Sequence, residues 1–370
     1  NKIKSFKSHA LVRHCLLVMV GMLCALPSWA LEVVVNGVKY EVNKQERKAV
    51  VVGLADKKSS TVEIQEVVRG YLVSGIERYA FGNRSNLESI TIPASAFDLG
   101  DYAFHGCMNL TSIKITDSSN SPVKSYGIGR YAFYGCSSLT SINIPSSVTS
   151  IGYSAFESCS SLTSINISSS VTSIGEYAFF RCSALTSINI PSSVTSIGSF
   201  AFKACSSLTS INIPSSVTSI EGHTFSGCSS LTSISIPSSV TSIDGRAFYG
   251  CSSLTSITVD ESNPIYGSEN NVLFSKKDKS LIRAGVGLEK YDIPSWFTSI
   301  GDCAFEGCSS LTSINIPSSV TSIGGSTFSG CSSLTSINIP SSVTSIGGST
   351  FSGCSSLTSI NIPSSVTSIG

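Results

Sequence analysis

The stretch Leu139-Thr-Ser-Ile142-Asn143-Ile144-Pro145-Ser-Ser-Val148-Thr-Ser-Ile151-Gly152, followed by Ala155-Phe156 and Cys159, decides how the rest of the chain folds. It recurs every 23 residues: Cys136, Cys159, Cys182, Cys205, Cys228 and Cys251 keep that spacing, which resumes at Cys308, Cys331 and Cys354. More divergent turns are marked upstream by Ala80-Phe81 and Ala103-Phe104. A fixed period of about 20 to 50 residues indicates a solenoid or a propeller, and a unit this short cannot hold a four-stranded blade. A repeat solenoid remains.

Within one unit Ile142 and Ile144 alternate with Ser141 and Asn143, so a short strand turns its isoleucines inward and its hydroxyl and amide outward. Pro145 ends that strand because it has no N–H to give to a ladder. Val148 and Ile151 make a second extended piece, and Gly152 permits the next bend. The Ala-Phe pair before each Cys predicts a tight helical or 3₁₀ turn. Each coil then points Leu, Ile, Ile, Val, Ile, Ala, Phe and Cys inward. Burying eight side chains does not offset the entropy lost in ordering a whole coil, so stability has to come from stacking coils in register.

Three segments break the period. Residues 31–75 hold Val33-Val34-Val35, Tyr40-Glu41-Val42, Val50-Val51-Val52 and Val62-Glu63-Ile64, strands separated by polar turns such as Asn36-Gly37, and predict an N-terminal β-rich cap ahead of a solenoid spanning 76–370. Thr116 to Tyr126 lengthens one coil and predicts a surface loop. Residues 258–296 form a long variant unit, in which Val272-Leu273-Phe274 and Leu281-Ile282 flank Lys276-Lys277-Asp278-Lys279 and predict a β-hairpin laid against the solenoid. The last residues, Ile369-Gly370, stop in the middle of a unit, so the C-terminus reads as truncated.

Charged residues make up only 13% of the chain and the formal net charge is +1. Lys2, Lys4, Lys7 and Arg13 lie in a leading segment with no acid, and the remainder is close to neutral. Such a chain lacks the basic stripe that neutralises phosphates, which argues against nucleic acid as a partner. The basic stretch through Arg13, the apolar run Cys15 to Leu26 and the sequence Pro27-Ser28-Trp29-Ala30 predict a secretory signal over 1–30, cleaved after Ala30. That run is short of the roughly 20 apolar residues a membrane-spanning helix needs, so no span is expected in the mature chain.

The phrase from Leu139 to Cys159, with its recurrences from Ile76 to Gly370, resembles the bacterial surface leucine-rich repeats of the BspA-like type. The variant unit, with Asn263-Pro264-Ile265-Tyr266 ahead of its two strands, is similar to a longer coil that recurs in that family. The resemblance implies a right-handed leucine-rich-repeat array, secreted or on the cell surface, with members that bind host matrix proteins or promote adhesion. It carries no ligand-contact residue across, because the family has no single binding motif. Ser168 stands where most coils have Pro, Glu221 and Asp244 where most have Gly, and Thr replaces Ala before Phe225, Phe328 and Phe351; none of these disturbs the core pattern.

Catalytic chemistry is hard to find. His105 and His223 lie in separate coils at variable positions, without a positioned acid, and read as exposed loop residues. The cysteine ladder lacks the closely paired spacing of zinc ligands. Each thiol would have two equivalent neighbours about 4.8 Å away and should point inward, so buried free thiols are expected rather than disulfides. Asp260 and Glu261 fit a solvated turn. No metal, no cofactor and no enzymatic activity are expected.

Function then rests on the repeated surface. Asn143, Asn166, Asn189 and Asn212 predict a row of outward amides that hydrogen-bond along the stack or serve as a multivalent contact strip. Tyr153, Glu176, Tyr177, Phe180, Arg181, Phe200, Lys203, Arg246 and Tyr249 flank the Ala-Phe turns and predict a varied edge whose aromatics and arginines suit an interface. The Lys276, Lys277 and Lys279 turn is a third candidate. The expected role is an exported adhesin or protein-binding scaffold with extracellular proteins or other cells as partners; the competing role is a structural spacer.

Overall fold

The computed structural model describes residues 30–116 and 126–370. The expected signal, but for its last residue Ala30, and most of the expected loop after Thr116 lie outside them. The chain is a β-solenoid of about 14 turns with parallel strands.

Two ladders run along the stack. In the first, Ser141, Ile142 and Asn143 pair with Ser164, Ile165 and Asn166; in the second, Ser150 and Ile151 pair with Ser173 and Ile174, which pair in turn with Ser196 and Ile197. Register advances by one repeat, so like stacks on like. The hydroxyls of the consensus fasten one coil to the next: Thr163 Oγ1 donates to the Thr140 carbonyl at 3.1 Å, Thr172 Oγ1 to Thr149 at 3.1 Å and Ser193 Oγ to Val171 at 2.6 Å. This explains how an array with so few charges is held at its surface: neutral hydroxyls add a second bond to carbonyls, such as those of Thr140 and Thr149, that already accept a backbone N–H from the next coil.

The inward set is as the repeat predicts. Leu162, Ile165, Ile167, Val171, Ile174, Ala178, Phe179 and Cys182 are all buried. The phenylalanines form a continuous stack from Phe81 to Phe248 with centroids 5.0 to 5.8 Å apart. Beside it the cysteines are free, and each regular Sγ donates to a phenylalanine carbonyl of the preceding coil, as Cys182 does to Phe156 at 3.1 Å. Burial pushes their pKa up, to about 12 for Cys205 and Cys251.

The turn carrying Phe and Cys is neither α-helical nor 3₁₀, contrary to expectation; among the described residues the one 3₁₀ turn is Ala94–Ala96. It is a double turn with two residues in the left-handed region, Tyr177 (φ 56°) and Arg181 (φ 60°) in the coil of Phe179. The reason lies in the hydrogen bonds. Tyr177, Phe179 and Arg181 donate their N–H groups to the next coil, at Ser199, Ala201 and Lys203, while Ala178, Phe180 and Cys182 donate three residues back. A helix would turn every N–H onto its own chain and leave the stack unpaired. Glycine fills the second left-handed position where it precedes cysteine, as at Gly227 and Gly330 (both φ 75°). Gly198, after Ile197, is required for another reason: a Cβ there would lie 2.5 Å from the Glu176 nitrogen of the neighbouring coil.

At the N-terminal end Ala30–Val35, Val38–Asn43 and Lys48–Leu54 form an antiparallel meander, and Lys48–Leu54 pairs parallel with Tyr71–Ile76. Bridges from Ile76 to Leu99 and from Leu99 to Ile128 carry this sheet into the second ladder. Thr61–Glu63 pairs parallel with Ser89–Pro93, so the first ladder begins inside this segment.

The variant unit contains the expected hairpin, Val272–Ser275 antiparallel to Ser280–Ala284. It does not lie on the solenoid but within it, because Ser280–Ala284 pairs parallel with Ser299–Ile300 and starts a new second ladder. Both ladders and the Phe stack break here; stacking resumes only at Phe305 and Phe328. The apolar core divides at the same place, one part ending at Leu273 and the other beginning at Val272. Side chains bridge much of the gap. Asn263 Nδ2 donates to the Pro237 and Val240 carbonyls, and the Tyr266 hydroxyl accepts from Ile243 N–H. Below them Arg283, with its side chain 3% exposed, donates Nη1 to the Cys303 carbonyl at 2.8 Å and to Glu306 Oε2 at 3.0 Å.

Candidate functional site

The double turns stack into one long edge, and its first left-handed position points outward. Tyr79, Tyr102, Tyr131, Tyr177, Phe200 and His223 occupy that position with φ between 56° and 61°. Their rings form a ribbon. Tyr79, Tyr102 and Tyr131 stack at 4.7 and 4.8 Å; Tyr177, Phe200 and His223 stack at 4.6 and 5.0 Å. Between the two groups the position belongs to Ser154, which is buried, and the ring of the preceding Tyr153 fills the gap, 5.2 Å from Tyr131 and 5.6 Å from Tyr177.

A second row follows the phenylalanines. His105 stacks on Tyr134 at 5.0 Å, and Phe180 lies 5.6 Å from Tyr177. Arg181 and Lys203 both approach the face of Phe180, at 4.9 and 5.9 Å, and Lys203 also that of Phe200, at 5.1 Å. Such contacts hold cations beside the rings at modest energy, about 0.5 to 1 kcal/mol at exposed sites. The tyrosines crowd one another: the Tyr131 phenol is pushed up by desolvation and then by its contact with Tyr153. His223 is pushed down, first by desolvation and then by Lys203, which favours the neutral ring. His223 is therefore a rung of the ribbon and His105 belongs to the second row, so neither is the exposed loop residue expected.

The structure thus brings Tyr153, Tyr177, Phe180, Arg181, Phe200 and Lys203 together on one edge. Arg246 follows His223 in the row but turns away to Asp302 at 3.3 Å, across the variant unit, which adds no residue to the edge. Tyr249 stands nearby, 42% exposed. Beyond this point the same row reads Cys303, Ser326 and Ser349, with φ of 56°, 53° and 56°, and the edge sinks into an open cleft of about 380 Å³. Sequence reasoning missed Tyr79, Tyr102, Tyr131 and His223. The signal was available: each stands two residues before a core phenylalanine, or before its Thr-Phe counterpart.

Asn143, Asn166, Asn189 and Asn212 lie on a different side, along the first ladder, all exposed. Their backbones join the stack, as where Ile144 N–H meets the Asn166 carbonyl. Hydrogen bonding of their amides along the stack is not seen; among the described residues it is Thr hydroxyls that make those bonds. Lys276 of the hairpin donates to the Asn263 carbonyl at 2.8 Å and helps fasten the variant unit. Among the described residues no group of His, Cys, Asp and Glu could hold a metal, and no helix is long and apolar enough to cross a membrane.

The comparisons agree with this architecture. The model of the BspA type leucine rich repeat region matches residues 59–182, 172–276 and 284–370. A crystal structure of a leucine rich cell surface protein from Faecalibacterium prausnitzii is similar, with 28% identity, a TM-score of 0.60 and coverage of 90% of this chain and 94% of that one. So is a leucine-rich repeat protein from Bacteroides ovatus, with 27% identity, a TM-score of 0.58 and coverage of 91% and 90%. No curated protein gives a significant sequence match. With its repeats matched over most of their length, in a solenoid of the expected kind, this chain belongs to the family of BspA-type leucine-rich-repeat proteins.

Proposed function

We propose that the protein is an exported, surface-displayed adhesin that binds other proteins through the aromatic edge of its N-terminal coils. One observation carries this. Ser326 and Ser349 hold the left-handed position with φ of 53° and 56°, the same as Tyr177 (56°), in coils whose cores are built alike. A bulky side chain is disfavoured at positive φ, and serine suffices to close the turn. The rings are therefore not required by the fold, and partly exposed aromatics beside Arg and Lys suit recognition of a protein surface. The cell-surface relative, and the predicted signal over residues 1–30, support a place outside the cytoplasm. Extracellular proteins, host matrix proteins among them, are the partners this role implies.

The exposed amides of Asn143, Asn166, Asn189 and Asn212 offer a second, weaker strip, since they make no hydrogen bond within the described protein. The bare coils after the variant unit suit a spacer, and the two roles can share one molecule.

Binding to immobilised matrix proteins such as fibronectin and fibrinogen tests the proposal. Saturable binding that weakens as coils between Tyr153 and His223 are deleted in whole 23-residue steps is expected. Binding that follows the coils after Cys303 instead would overturn the assignment to the aromatic edge, and no binding by a well-folded array would favour the spacer.

A further inference from the structure

We infer that the edge is self-complementary and that the partner fitting it is a second copy of this chain, bound antiparallel across a two-fold axis at Arg246. One edge carries two opposite surfaces. Before the axis Tyr177, Phe200 and His223 stand out as stacked rings; after it the same row is cut back to Cys303, Ser326 and Ser349. Where the row is cut back an open cleft of about 380 Å³ begins, bounded by His223, Arg246 and Tyr249 on one side and by Cys303, Ser326 and Ser349 with Gly325 and Gly348 on the other.

The spacing matches as well as the shape. Both rows are set by the same inter-coil step of about 4.8 Å. Across the variant unit the two rows are joined by side chains, Arg246 to Asp302 at 3.3 Å and Gly250 N–H to Glu306 Oε2 at 3.0 Å. A two-fold axis through Arg246 therefore lays His223 of one copy on Cys303 of the other, Phe200 on Ser326 and Tyr177 on Ser349, and repeats the three contacts in reverse. Such an isologous contact is the usual form of a homodimer interface. At the axis Arg246 and Asp302, both about half exposed, can exchange partners between copies.

A strip two side chains wide and seven coils long, about 34 Å at that step, falls below the roughly 1,200 Å² at which stable interfaces begin and among weak, transient contacts. The expected affinity is accordingly weak, on the order of micromolar. Display in many copies on a surface would raise it by avidity, so that the contact joins molecules on one cell or on two facing cells.

Sedimentation of the purified protein up to about 200 micromolar, well above that affinity, gives the first test. A concentration-dependent dimer is expected, and a monomer throughout would overturn the inference while leaving binding to matrix proteins untouched. The second test exchanges the surfaces. Tyr177→Ser with Phe200→Ser removes the rings, Ser326→Phe with Ser349→Tyr fills the cleft, and each variant alone should be monomeric. Mixed together they should pair, since a ring again faces a serine at each exchanged contact. Dimerisation of the filled-cleft variant alone at the parental strength, or failure of two folded variants to pair, would also overturn it. Association through the first-ladder asparagines or through coil ends would show the former result, because neither substitution touches those surfaces.

Discussion

The coils before the variant unit and the coils after it share a core and differ at the edge. In both, phenylalanine stacks on phenylalanine, cysteine lies buried beside it, and two left-handed residues shape the turn. Only the earlier coils dress the first of those residues with rings; the later ones use cysteine and serine. What the two halves have in common is what the solenoid demands, and what separates them is what remains open to function. The variant unit marks the change and divides the core in two.

Alkaline pH should break the comparison most strongly. The buried thiols have raised pKa values in the folded state, mainly through desolvation, so folding favours the protonated form. Their stabilisation is present below the unfolded thiol range and is lost as pH rises above about 8.5. Each thiol that ionises only on unfolding contributes a slope of about 1.4 kcal/mol per pH unit. Cys107, Cys136, Cys159, Cys182, Cys205, Cys228 and Cys251 belong to the earlier coils, against Cys303, Cys308, Cys331 and Cys354 in the later ones. Denaturant melts between pH 8 and 10, read as orders of magnitude about that threshold, should show the earlier coils weakening faster.

Phe179→Ala should cost about 3 to 5 kcal/mol, because the ring is fully buried and stacked at 5.4 Å on both sides. Hydrogen exchange would place the loss in the coils before the variant unit. Glu306→Ala should cost about 3 kcal/mol, the lower end for one partner of a buried pair, since Glu306 is 16% exposed. It removes the charge partner of the Arg283 guanidinium and leaves it only the Nη1 bond to the Cys303 carbonyl, since Nε and Nη2 already lack a partner. Because that pair sits where the core divides, calorimetry should show a single transition separating into two.

Phe200→Ser should have the smallest effect on stability, about 1 to 2 kcal/mol, because it removes a ring that stacks on a neighbour at either side of an exposed edge. Its thermal midpoint should stay close to that of the parent, whereas the core substitutions should shift theirs by several degrees.

Much of this was legible in the sequence because the core repeats: Ile142, Ile144, Val148, Ile151, Ala155, Phe156 and Cys159 announce their burial by spacing alone. The hairpin was equally visible in Val272-Leu273-Phe274 and Leu281-Ile282, although its insertion into the ladder was not, since alternation predicts a strand but not its neighbour. The double turn escaped because Tyr177 and Arg181 are poor markers of positive φ; the glycine before Cys228 or Cys331 was the better clue. The ribbon was half seen. Tyr177 and Phe200 stood out in the regular coils, while Tyr79, Tyr102 and Tyr131 lie in divergent ones and line up only when coils are read across the stack.

Whether the rings serve binding rather than folding is decided by replacing Tyr153, Tyr177 and Phe200 together by serine and following thermal unfolding and matrix-protein binding on the same sample. A folded protein with a modestly lowered midpoint is expected, with binding reduced at least about tenfold, a loss of roughly 1.4 kcal/mol. Unchanged binding, or collapse of the fold, would refute this reading, the first by removing the edge from function and the second by making the rings part of the scaffold.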